Sequence, residues 1–487
     1  MAEQSSQTAK VTEPRLNRTL KSRHIQMLAL GGALGTGLFY GSGEAIIIAG
    51  PAVLLSYLIG GLFMYLVLRM LGEMAVQEPA AGSCSHFAYH YWGEFAGFLA
   101  GWNYWFMFVA VGIAELVVIG IYLDHWIIIA HWQTGFTLLL AMTIVNIAAV
   151  RFFGEFEFWF AGVKVLAVIG MIIFGALLII TGAGGSQAGL SNLWAHGGFF
   201  PFGFGGPIMA LTVVMFAFGG SELIGMTAAE ASEPETSLPK AIRQFMVRIL
   251  IFYIGATAII LILSPWDNID SRSGSPFVTV FDTIGIKSAA DILNLVVITA
   301  AVSVLNSGLY ANGRILLSLA GQKNAPRNFM RLNRYSVPYI GIIFSSLCIA
   351  LGLGLNYLIP GGAFMRVLAI VTTAVALSWA MIVLVHLRFR RAYRRQKAAN
   401  SQMRGLIFKS PFYPYSNYLC LAFLGGLFVL MLLTGFTEGG LLMRAFGLNR
   451  PLITLPVPDV SISALIVPLW ILALYLGFHI KKRREQK

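Results

Sequence analysis

GGALGTGLF, residues 31–39, interrupts an apolar run that otherwise has the make-up of a membrane-spanning helix. Four glycines fall within seven residues, at Gly31, Gly32, Gly35 and Gly37, and each costs about 1 kcal/mol relative to alanine in a helix interior. Two readings account for them. In the first, Gly31 and Gly35 form a small-xxx-small face that lets a neighbouring helix approach. In the second, ALGTG is unwound at mid-membrane, its freed amides turned to an anionic group and its freed carbonyls to a cation.

A second interruption decides between them. Five spans later, FAFGGSELIG, residues 216–225, again sets adjacent glycines and a polar pair inside an apolar segment. Paired breaks at corresponding places in two five-span halves are the sequence mark of an inverted-repeat secondary transporter, which holds its substrate at the breaks. The first span then runs outward and the sixth inward, as such a repeat requires.

The bulk composition agrees. Of 487 residues 57% are apolar and 11% charged, about half the charge of a globular chain. Apolar stretches long enough to cross a bilayer recur throughout. Twelve are expected, centred roughly on residues 37, 62, 109, 141, 168, 216, 255, 304, 348, 376, 424 and 471, which makes the chain an all-α polytopic membrane protein. The expected divisions are a cytoplasmic tail 1–24, a first repeat 25–182, a second repeat 183–390, a basic cytoplasmic loop 391–413, two last spans within 414–480 and a cytoplasmic tail 481–487.

The first 24 residues are polar and basic and lack the order of a cleavable signal. The net charge of +13 is distributed by side rather than gathered into a nucleic-acid face. With the N-terminal tail inside, inside segments hold 28 of the 34 Lys and Arg; outside segments hold Arg272, Lys287, Arg366, Arg444 and Arg450, and Lys164 falls within a span. This positive-inside asymmetry places both termini in the cytoplasm. The blocks HLRFRRAYRRQK and KKRREQK then orient the chain and offer contacts to anionic lipid; no nucleic-acid partner is expected.

Cys84, Cys348 and Cys420 are odd in number and far apart, which argues against a disulfide framework. The histidines fall near segment ends or loops. His86 and His90 stand four apart in SHFAYHYW but without a third ligand, so no metal site is expected. Neither a metal-ligand set nor a nucleophile–base pairing is evident, and GxxxxGK[ST] is missing, so the chain is read as neither an enzyme nor an ATPase, with no cofactor.

Longer strings carry a likeness. RHIQMLALGGALGTGLF, GSCSHFAYHYWGEFAGFLAGWNYW, GEFEFWFAGVKVLAVIGMIIFG, MFAFGGSELIGMTAAEASEPETSLPKAI and NSGLYANGRIL resemble the bacterial amino acid permeases of the amino acid-polyamine-organocation superfamily. The resemblance runs through nearly all the spans and is nearest to phenylalanine and general aromatic amino acid permeases. It implies a leucine-transporter-type fold, a 5+5 inverted repeat with helices 1 and 6 broken plus two peripheral helices. It further implies proton-driven import across the bacterial inner membrane.

A zwitterionic amino acid carries two charges whose transfer into hydrocarbon costs several kcal/mol or more, so the breaks must replace water. Amides around Gly35, Thr36 and Gly37 are expected to receive the carboxylate, and carbonyls around Phe216, Ala217 and Gly219 the ammonium; the resemblance assigns the same two roles. Trp102, Tyr104, Phe106, Phe216 and Phe218 are candidate linings for an aromatic side chain, although aromatics also serve as packing and anchors. Histidine, branched-chain, proline or GABA-like substrates remain alternatives, as does amino acid exchange.

Three ionisable residues are read as lying deep in spans, where charge is costly and functional. By resemblance, Lys164 puts its ammonium where sodium-driven relatives hold sodium, which assigns it to proton coupling with Ser303, Asn306 and Ser307 as partners. Glu222 either relays a proton or satisfies amides freed by the break. Glu115 either faces the pocket, where it would touch substrate or proton, or pairs with a buried donor. Glu44 leaves the exact substrate open. GSCSHFAYHYW and EPETSLPKAI are candidate gating segments or rigid connectors, the latter a turn followed by a helix with Pro239 in its first turn. One charge moved through 100 mV yields about 2.3 kcal/mol against about 1.4 kcal/mol per tenfold gradient, so one proton sustains roughly 50-fold accumulation.

Overall fold

The computed structural model describes residues 22–31, 34–80, 82–124, 126, 131–148, 150–269, 275–358, 363–400, 402–403, 405–434 and 461–485. Among these the regular structure is entirely helical. The helices are α1 (Ser22–Gly31), α2 (Thr36–Phe39), α3 (Gly41–Ala49), α4 (Val53–Gln77), α5 (Cys84–Trp92), α6 (Glu94–Leu123), α7 (His131–Ala148), α8 (Val150–Thr181) and α9 (Gly205–Ala217). They continue as α10 (Leu223–Thr227), α11 (Pro234–Arg248), α12 (Ala256–Leu263), α13 (Pro276–Thr283), α14 (Lys287–Gly321), α15 (Tyr339–Leu358), α16 (Ala363–Ala399), α17 (Tyr415–Leu433) and α18 (Ser461–Glu485).

Among the described residues seven helical stretches are long and apolar enough to cross a bilayer: 41–77, 94–123, 153–181, 234–263, 287–321, 367–399 and 415–433. Three shorter apolar helices lie at 132–148, 205–217 and 339–354.

In α8 two stripes follow from the helical period. Trp159, Leu166, Ile173 and Ile180 recur every seven residues and are 69, 71, 57 and 79% exposed, a face suited to lipid. The opposite stripe, Glu157, Ala161, Lys164, Val168 and Met171, is buried against α14 and α1. A polar stripe turned inward and an apolar one turned outward reverse the pattern of a soluble helix.

The centre is built by α6 and α14, which pack along each other, with α16 against α6. Against this pair lie the two interrupted segments. Residues 34 and 35 are bent between α1 and α2, and 218–222 form turns between α9 and α10, where Gly220 takes a φ of 90° that favours glycine. Pro234 opens α11 and Pro239 stands inside it, which corrects the expected first-turn place of Pro239. The earlier proline takes the position where a missing N–H costs nothing. From there the chain passes through a π-helical turn at Ile249–Gly255 into α12.

Candidate functional site

At Gly37 an added Cβ would stand 2.5 Å from the Cα of Ala217. The two interrupted segments therefore touch backbone to backbone at this point. Beside this contact lies a cavity lined by Gly35, Gly37, Glu115, Phe216, Ala217, Gly219 and Ser307 among others. Phe108, Val111, Val304 and Val371 complete much of its apolar wall.

The hydrogen bonds of α2 begin with Leu38 N donating to Gly35 O at 3.1 Å and Tyr40 N to Thr36 O at 2.7 Å. The amides of Thr36 and Gly37 are thus its leading, intrahelically unused donors. On the other segment, Phe216 O already accepts from Gly219 N at 2.9 Å and Ala217 O from the Tyr253 hydroxyl at 2.8 Å. Each keeps one lone pair for a further donor.

Glu115 reaches from α6 to the first break, where the Thr36 hydroxyl donates to its Oε1 at 2.8 Å. Its Oε2 is buried without a hydrogen-bond partner in a side chain that lines the cavity. Glu222 sits at the second break. Its Oε1 accepts from Gly220 N at 3.4 Å and its Oε2 from the Trp379 indole at 3.2 Å, which joins the turn to α16.

Lys164, fully buried, donates from Nζ to Ser303 Oγ at 2.9 Å. Of its other expected neighbours on α14, Ser307 lines the cavity and Asn306 Oδ1 accepts from the Asn146 amide of α7 at 2.7 Å.

Several expected linings lie elsewhere. Trp102 donates its indole N–H to Asn324 O at 3.2 Å, and Phe106 stacks on Trp470 at 4.8 Å, so both face the α6 side that meets α18. Phe218 packs among Tyr57 and Tyr253, and Tyr104 is set edge-on to Phe108; it is Phe108 that reaches the cavity with Phe216. A helix that is apolar all round gives no period from which to choose the pocket face. Thr36 reaches the site through Glu115 rather than by lining the cavity.

The count of buried ionisable side chains also needs correction. Glu157, Glu73, Glu230, Arg248 and Arg314 are buried beside the three expected. Arg314 Nε pairs with Glu230 Oε1 at 2.8 Å and its guanidinium lies 3.7 Å over the Tyr310 ring. His386, expected near a segment end, lies inside α16 and meets Glu73 Oε2 at 3.2 Å, with Arg390 Nε on Oε1 at 2.5 Å. Glu157 carried a readable signal: it precedes Lys164 by seven residues, two helical turns, and so shares its face.

His86 is 3.0 Å from Glu78 Oε1, and its ring lies parallel to that of His90 with centroids 6.4 Å apart. Glu44 is half-buried in the first turn of α3.

A chain whose described regular structure is helical, with several membrane-crossing helices, two interrupted ones and a partly polar cavity between them, has the design of a membrane transporter. The amino acid permease family profile matches residues 24–487, and the chain belongs to this family of the amino acid-polyamine-organocation superfamily, whose members are transporters and not enzymes. It is similar to the aromatic amino acid transport protein AroP of Escherichia coli K12, 45% identical over 471 residues and 96% of each chain. The AroP protein of Salmonella typhimurium LT2 is 45% identical over 469 residues, again 96% of each. The uncharacterized amino acid permease YtnA of Bacillus subtilis is 41% identical over 474 residues, 96% of each.

Proposed function

We propose that this permease imports an aromatic amino acid together with a proton. The observation that carries the reading is the cavity between the two interrupted segments, with Phe108 and Phe216 in its wall and the free carboxylate oxygen of Glu115 beside it. In this reading the leading amides of α2 receive the substrate carboxylate. The spare lone pairs of Phe216 and Ala217, with Gly219 O and Glu115, receive the ammonium, and the two phenylalanine rings receive the aromatic side chain. The names of the AroP relatives support the substrate class.

Lys164 carries the coupled proton, with Ser303 and Ser307 as its α14 partners. The bond from Nζ to Ser303 joins α8 to α14 when the amine is charged. A neutral amine would hold the two helices more weakly. Glu222 braces the second break through Gly220 and Trp379, and in this reading relays a proton beside Gly220, which lines the cavity. The architecture is the 5+5 inverted repeat, with 25–182 and 183–390 as its halves, 391–413 as the basic loop, 414–480 as the peripheral pair, and both tails, 1–24 and 481–487, in the cytoplasm. In the inner membrane the inward basic blocks meet anionic lipid.

The test is uptake of labelled phenylalanine into energised vesicles, competed by each of the twenty amino acids, with and without an uncoupler. Competition by tyrosine and tryptophan and collapse by the uncoupler are expected. Uptake that ignores the uncoupler but requires amino acid on the far face would make the protein an exchanger. Gly35→Leu, whose Cβ already meets Val304 Cγ2 at 3.0 Å, is expected to abolish binding; normal affinity would remove the first break from the site.

A further inference from the structure

Glu157 has no part in the reading above, yet it is the buried acid most closely tied to Lys164. We propose that Glu157 is the second half of the proton site: Glu157 and Lys164, bridged by the Ser303 hydroxyl, take up and release the coupled proton as one unit. The inference rests on the proton-coupled reading of Lys164 and deepens it.

The geometry is specific. Ser303 Oγ lies 2.5 Å from Glu157 Oε1 and 2.9 Å from Lys164 Nζ. A hydroxyl has one proton, and the ammonium has no acceptor, so the serine donates to the carboxylate and accepts from the lysine. All three groups are fully buried. Seven residues of helix separate the acid from the amine, a rise of about 10.5 Å, and the serine spans what a direct ion pair does not; no Glu157–Lys164 ion pair occurs among the described residues.

This arrangement is a proton wire. When Ser303 passes its proton to Glu157 Oε1, a new O–H bond forms there. One N–H bond of the lysine ammonium breaks and that proton restores the serine hydroxyl. The serine-bridged ammonium and carboxylate become a neutral amine and a neutral acid, with atoms and charge conserved. In a medium that penalises isolated charge, neither member can lose or gain a proton without the other feeling it, so the pair titrates together.

On its other side the Glu157 carboxylate meets Ser307 and Asn306 of α14. Its Oε2, Ser307 Oγ and Asn306 Nδ2 are all buried without a hydrogen-bond partner, and both α14 side chains face this carboxylate. Ser303, Asn306 and Ser307 stand at i, i+3 and i+4 on α14, one face of the helix. Because Ser307 also lines the cavity, substrate that engages its hydroxyl changes what Glu157 Oε2 can bond.

Other charged and titratable groups approach the pair from the neighbouring helices. Glu115 of α6 acts on Lys164 from the side of the first break. From α1, Arg23 and His24 are engaged with Glu155. From α14, the Tyr310 ring stacks on Phe153 at 4.0 Å and Arg314 pairs with Glu230. The Tyr253 hydroxyl donates to Ala217 O. Asn146 is the polar contact from α7.

The experiment uses the full chain in proteoliposomes with labelled phenylalanine as probe and two readouts, accumulation driven by a pH gradient and counterflow exchange at equal pH. Wild-type accumulation that ignores an uncoupler removes the symport reading itself, before any variant is made. With the wild type coupled, Glu157→Gln is expected to lose accumulation by about tenfold or more, the weight of one pKa unit in proton occupancy. It is expected to keep exchange within a few-fold and to flatten the pH profile of exchange, with Glu157→Asp restoring part of the accumulation. Accumulation and pH profile equal to wild type overturn the inference. So does parallel loss of both activities that Glu157→Asp fails to rescue, which would make Glu157 a strut. Should Glu157→Gln not fold because it leaves Lys164 without its acid, the double variant with Lys164→Met removes both charges. Exchange without accumulation is then expected; regained accumulation, or a double variant that also fails to fold, overturns the proposal.

Discussion

Gly37 and Ala217 meet with no side chain between them: a methyl group on Gly37 would sit 2.5 Å from the Ala217 Cα and 3.0 Å from its nitrogen. Backbone atoms cannot move aside as a flexible side chain can. Gly37→Ala must therefore push the two interrupted segments apart, and overpacking of this kind costs about 1–3 kcal/mol. Transport is expected to fall sharply and the detergent-solubilised protein to melt earlier. Gly41→Ala, whose new Cβ meets only Val213 Cγ1 at 3.8 Å, is the control from the same segment. Equal uptake by the two variants would show that the contact does not hold the site.

Lys164→Met keeps the length of the stem and removes the donor to Ser303. Uptake driven by a pH gradient is expected to disappear while binding and exchange survive in part, because the cavity wall does not include Lys164. Equilibrium binding of labelled phenylalanine, set beside accumulation, separates the two. Unchanged concentrative uptake would take the lysine out of coupling.

The breaks were legible because glycines and polar residues are costly inside an apolar span and stand out from it. The α8 stripes are legible in the seven-residue recurrence of Trp159, Leu166, Ile173 and Ile180. Glu157 stands two residues from Glu155, which meets Arg23 at 2.6 Å, and an acid so near the start of a span passes for an interfacial one. The seven-residue step to Lys164 was the sign that it turned inward. Trp102 and Phe106 were misplaced for the opposite reason. In α6, lipid-like and protein-facing positions are both apolar, and only the packing of α14, α16 and α18 around it distinguishes the side that holds Phe108. Pairings such as Glu73 with His386 join residues more than 300 apart, which no local pattern can announce.

Arg314 and Glu230 are each 1% exposed as side chains and tie α14 to the segment that follows α10. Removing one partner strands a buried charge, at a cost of about 3–5 kcal/mol. Glu230→Gln is therefore expected to lower the thermal midpoint markedly, and Glu230→Gln with Arg314→Met to recover part of the loss. Thermal unfolding in detergent measures both. A double variant no better than the single would mean that the guanidinium contributes chiefly through its contact with Tyr310.

Glu78 lies just beyond the end of α4 and holds α5 through His86 at 3.0 Å and the Tyr91 hydroxyl at 3.0 Å. Burial pushes its carboxyl up, but the bond and charge of His86, the charge of His90 and the Tyr91 bond together hold it below the usual carboxylate range. A carboxyl lowered in the folded state contributes stability that is present above its unfolded value and lost as pH falls through its folded one. The attachment of α5 is thus expected to hold at neutral pH and to weaken as the medium is acidified below the ordinary carboxylate range. Hydrogen exchange of the α5 amides should speed up over that window in the wild type. In Glu78→Gln, which has no proton to gain, the same amides should exchange faster at neutral pH and show no such step. A step that persists in the variant would place the titrating group elsewhere.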